Sequence, residues 1–184
     1  KLYISTHKIS RSKVLHITNK QTDYEFFFKS NNKLIDYKKQ SYYNSLENIF
    51  NYNAVIIEKH EKLDNKSLNQ ILKYVKKGGV VFLSLSEKNN NTAFLSEFGV
   101  FIEKWIKSDQ IVNKINYDHH IFKNVFEENV KDNLQIFKIS AYNKIKNQNS
   151  HEEILNIENS SPFLLSQKYF DGNIFIMTSP IEKN

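Results

Sequence analysis

Four short segments of this chain carry the residue types that could do chemistry. Glu58 and His60 follow the apolar run Ala54–Ile57, where a carboxylate and an imidazole could serve as an acid and base pair. Ser84 and Ser86 follow a second apolar run, Val80–Leu83, and either hydroxyl could act as a nucleophile. His119-His120 follows Asp118, and His151 precedes Glu152-Glu153. Those two segments hold metal-ligand types, but an ion would need ligands converging from both. The plainer reading is that polar residues follow strands because loops are exposed. No spacing sets a base against a nucleophile, so no catalytic residue and no metal site is expected. Glu58, His60, Ser84 and Ser86 remain as candidates to line a ligand crevice.

Other chemistry is excluded by composition. There is no cysteine among the 184 residues, which removes disulfides, thiolate metal sites and thiol nucleophiles. The four glycines stand at 78, 79, 99 and 172. None builds a nucleophile elbow around Ser84, a G-x-G-x-x-G loop or a P-loop, so no cofactor is expected. The net charge of +6 rests on lysine, with Arg11 the single arginine. Readers of nucleic acid favour arginine for its two-pronged hydrogen bonding, so nucleic acid is not an expected partner. No apolar run reaches the length of a membrane span and no leader peptide is visible. The chain opens on Lys1 rather than Met and reads as one domain excised from a longer protein.

The stretch from Asn53 to Glu87 must position the candidates. Ala54–Ile57 is short, apolar and β-branched, as a strand buried on both faces would be. Asp64 is placed to cap a helix, with Leu63 and Leu68 as a hydrophobic staple. Leu68, Ile71, Leu72 and Val75 make one apolar stripe, and Gly78 ends the helix. Val80–Leu83 is the next buried strand. Strand, crossover helix and parallel strand make a right-handed unit, and ligands of such sheets bind beyond the carboxyl ends of the strands.

Around this unit the pattern predicts strands at 13–18, 33–38 and 100–106, then a polar, irregular stretch over 107–133 with an apolar cluster including Val125 and Phe126. Short strands follow from Leu134 onward, with turns at Ser160-Ser161-Pro162 and Asp171-Gly172. The expected architecture is α/β: a mostly parallel central sheet flanked by helices, flavodoxin-like, with antiparallel strands in the last third.

The segment Tyr74-Val75-Lys76-Lys77-Gly78-Gly79 running into Val80–Leu83 resembles the class I glutamine amidotransferase-like fold. Asp118-His119-His120-Ile121-Phe122 is similar to a segment of its catalytically silent members. The close, from Pro162-Phe163-Leu164-Leu165 through Asp171-Gly172 to Thr178-Ser179-Pro180, is similar to the end of such domains. The combination resembles the amidotransferase-like domain of bacterial membrane proteins of the BatA (aerotolerance) type, over roughly residues 45 to 181. Active members place a cysteine where this chain reads Ser84-Leu85-Ser86. The resemblance therefore implies the fold without its chemistry: a non-catalytic interaction or assembly module with protein partners, anchored to a membrane by other parts of its parent. The alternative is a small-molecule sensor or divergent hydrolase using the crevice at Glu58, His60, Ser84 and Ser86.

Overall fold

The computed structural model describes residues 11–19, 23–88, 92–123, 137–146 and 151–180. The cluster at Val125 and Phe126, and the expected strand start at Leu134, lie outside them. Nine strands form one sheet: β1 (Ser12–Ile17), β2 (Ile35–Gln40), β3 (Ala54–Ile57), β4 (Val80–Ser84), β5 (Ile102–Ile115), β6 (Lys138–Ile145), β7 (Glu152–Ile157), β8 (Pro162–Tyr169) and β9 (Gly172–Met177). Three α-helices are described: α1 (Asp23–Ser30), α2 (Asn65–Lys76) and α3 (Thr92–Ser96).

The order across the sheet is β2-β1-β3-β4-β9-β8-β7-β5-β6. The first five strands are parallel and the remaining pairings are antiparallel. This corrects the expected mostly parallel, helix-flanked sheet of flavodoxin-like or amidotransferase-like type. The reason lies in the connections. Parallel neighbours need a crossover, and among the described residues β1→β2 and β3→β4 receive the longer helices, α1 and α2. The β2→β3 link has a single helical turn, Ile49–Asn51. Between β4 and β9 the chain inserts α3 and the strands β5 to β8 of the antiparallel half.

The central unit forms as its residues dictate. Asp64 caps α2, its carboxylate accepting the Ser67 N–H at 2.7 Å. Leu63 and Leu68 are both buried beside that cap, the two ends of the staple. Gly78 closes α2 at a φ of 95°, where a side chain would be strained. Gly172 is required by contact instead: a Cβ there would lie 2.1 Å from the Val75 carbonyl oxygen.

The main core lies on one face of the sheet. Register aligns Leu15, Val55, Val81 and Ile174 in one row and Ile17, Ile57, Leu83 and Ile176 in the next. Leu68, Ile71 and Val75 of α2 pack there, with Phe94, Leu95 and Phe98. Each such side chain contributes about 1.5–3 kcal/mol when fully buried. A second cluster of Val112, Tyr142, Ile157, Phe163 and Met177 serves the antiparallel half. Among the described residues no helix is long and apolar enough to cross a membrane.

Candidate functional site

The carboxyl ends of β3, β4 and β9 converge as the parallel order requires, and the residues that follow them meet there. The loop after β3 carries Glu58, His60 and Glu61, and that after β4 carries Ser86. Glu58 turns inward. Its Oε1 lies 2.9 Å from His16 Nε2, and its Oε2 accepts the Thr18 hydroxyl at 2.8 Å. His16 Nδ1 lies 2.8 Å from the Tyr37 hydroxyl. Burial, then the charges of Glu25 and Glu58, pushes that phenol up to about 12. Glu58 Oε1, a carboxylate oxygen, accepts from His16 Nε2–H. Both oxygens of Glu58 are therefore committed to β1 and its continuation, inside the protein.

His60 is also internal. Its ring is fully buried and stacks on Phe94 with centroids 6.0 Å apart. Burial depresses its pKa to about 4, so it is neutral at physiological pH. Ser84 is buried, and its hydroxyl donates to the Ser179 carbonyl at 3.1 Å. The structure thus does not bring Glu58 and His60 to an open surface, nor set a base on Ser84.

Of the four candidates, Ser86 lines a described cavity. A crevice of about 360 Å³ opens at this end of the sheet, lined by Ser86 together with Glu61, Trp105 and three lysines, Lys59, Lys62 and Lys88. Ser86 Oγ lies 3.0 Å from Glu61 Oε1 and 3.0 Å from the Lys88 carbonyl oxygen. The other oxygen of Glu61, Oε2, is buried and accepts no hydrogen bond; its nearest ionic neighbour is His60 Nδ1, 3.8 Å away. Across the crevice the Trp105 indole N–H is likewise buried without a hydrogen-bond partner. An unpaired buried polar group costs about 1–3 kcal/mol, so this crevice wall holds an acceptor and a donor at a cost to the fold. A second hollow of about 310 Å³ lies between the loop Tyr42–Glu47 and the start of α2. Of its two acids, Asp64 caps the helix and Glu47 Oε1 lies 3.6 Å from Lys66 Nζ at the surface.

Glu61 and Trp105 were missed in the sequence. Glu61 lies one residue beyond the expected pair, in the same loop. Trp105 carried no signal, because only the placement of β5 brings it near residues forty positions away. The histidine segments do converge, through Glu152 rather than His151. His119 Nε2 lies 3.1 Å from Glu152 Oε2, whereas His151 donates to the Phe98 carbonyl at 2.9 Å.

No family model matches the chain, and no curated protein does. Solved structures match its fold. One cytoplasmic protein from Salmonella typhimurium overlays 91% of this chain and 87% of its own at 15% identity, with a TM-score of 0.68. A ThuA-like protein from Bacteroides uniformis overlays 99% and 88% at 15% identity, with a TM-score of 0.63. A β-galactosidase from Bacillus circulans matches at 13% identity and a TM-score of 0.64, but the overlay covers 93% of this chain and only 29% of the enzyme. Likeness at these identities shows the fold alone. The expected description as a BatA-type aerotolerance membrane protein is corrected: neighbours that overlay nearly end to end are by name cytoplasmic proteins and a ThuA-like protein.

Proposed function

We propose that this chain binds a small polyhydroxylated ligand, of the saccharide class, in the crevice at the carboxyl ends of β3, β4 and β9. The observation that carries the reading is the orphan pair on its wall, the Glu61 Oε2 acceptor and the Trp105 Nε1–H donor. Hydroxyl groups both donate and accept, so a polyhydroxylated ligand matches both atoms in kind. An indole also offers an apolar face to sugar C–H groups, and Ser86 and the lysines add donors at the mouth. Both orphan atoms are screened from water, so binding shifts the side chains above them. Several structures of similar fold are glycosidases by name, a mannosidase and β-galactosidases, although this chain overlays less than a third of each. No reaction is assigned to the crevice, because Ser84 and Ser86 have no general base placed against them.

A thermal-shift screen against mono- and disaccharides tests this. A ligand at 100 times its dissociation constant adds about 2.7 kcal/mol, or roughly 5–10 °C for a domain of this size. The shift is expected to vanish in Glu61→Gln and Trp105→Phe. A flat panel favours a second reading, a non-catalytic module that docks a protein partner. That reading is supported by exposed aromatics at the opposite end of the sheet, where Phe50 and Phe170 are 44% and 65% exposed with Lys77 and Lys76 over their rings.

A further inference from the structure

We propose that His119, His120 and Glu152 form a binding site for a first-row transition-metal dication, with zinc as the reference ion. The three side chains come from two places distant in sequence. His119 and His120 occupy the turn after β5, and Glu152 is the first residue of β7. One ligand atom from each lies within 4.8 Å of the others. The closest pair, His119 Nε2 and Glu152 Oε2, is 3.1 Å apart. Tetrahedral zinc with bonds of about 2.0–2.1 Å holds its ligand atoms about 3.3 Å apart, so this pair already stands at coordination spacing.

The three side chains divide the work of a site. His119 is fixed: its side chain is fully buried. His120 and Glu152 are exposed, which leaves them free to rotate and close the remaining distance. Two imidazoles and one carboxylate suit zinc, cobalt or nickel and not calcium or magnesium, which prefer oxygen. Three protein ligands leave a further position for water or a substrate atom. Ser166 Oγ lies 2.8 Å from His119 Nε2, and coordination through that nitrogen displaces this hydrogen bond. Coordination through Nε2 places the ring proton on Nδ1, so the 3.3 Å contact from the Ile121 N–H to that nitrogen must give way. That contact is longer than a good hydrogen bond and its loss is a small cost. None of these residues lines the crevice, so the site stands independently of the saccharide reading.

The test is calorimetric titration of zinc into the untagged full chain, with cobalt absorption as a report on geometry. One equivalent is expected, with the visible cobalt bands of a tetrahedral nitrogen and oxygen site. His120→Ala and Glu152→Ala, both at exposed positions, are expected to fold as the wild type does and to weaken binding at least tenfold. Wild-type protein that takes up no zinc would overturn the proposal. So would zinc binding that both variants leave unchanged, which would place the ion on other groups.

Discussion

Glu58, Glu61 and Asp64 stand three residues apart along one short segment, and the fold treats them in opposite ways. Glu58 is sealed, with both oxygens held by His16 and Thr18. Asp64 is at the surface and spent on the first turn of α2. Glu61 lies between them with one oxygen on Ser86 and the other on nothing. The difference teaches where to look for function. A buried acid with every lone pair answered is part of the scaffold, whereas one left unanswered on a cavity wall marks a place for a ligand.

That contrast can be broken at four points. Glu58→Ala has the largest expected effect. It removes the carboxylate that accepts from His16 and Thr18, and urea denaturation should show a loss of about 1–3 kcal/mol for each of those two hydrogen bonds. The next is pH. Burial holds His60 down to about 4 against an ordinary 6.5, so between those values the unfolded chain takes up a proton that the folded chain does not. The His60 contribution to stability is therefore flat above about pH 6.5 and falls as pH drops towards 4, by about 3 kcal/mol at roughly 1.4 kcal/mol per unit. Denaturation midpoints across that range should show it, and His60→Leu should lessen the slope. Asp64→Ala should lower the denaturation midpoint by less than Glu58→Ala, through loss of the α2 cap alone. Glu61→Gln should change stability least, because the amide oxygen still accepts from Ser86. Its effect belongs to ligand binding.

Much of the parallel half was legible in the sequence. Val80–Leu83 and Ala54–Ile57 are continuous apolar runs, and Asp64 with Gly78 marks both ends of α2. The antiparallel half was less so. β5 runs to Ile115 through a stretch that reads as irregular, because many of its residues face solvent and only its pairing with β6 and β7 makes it a strand. The same cause hid half of the site. Glu58 and His60 were rightly placed after β3, but their direction depends on His16, Thr18 and Phe94, partners that no local pattern supplies. Trp105 and the meeting of His119 with Glu152 depend wholly on the order of β5, β7 and β8.

Trp105 is the single tryptophan of the chain, so its emission reports on the crevice alone. The most direct measurement is a fluorescence titration with each saccharide that raises the melting temperature. The account predicts a saturable change in emission that Glu61→Gln abolishes at unchanged stability. A saccharide that stabilises the protein while Trp105 emission stays constant would contradict it, as would a panel in which none binds.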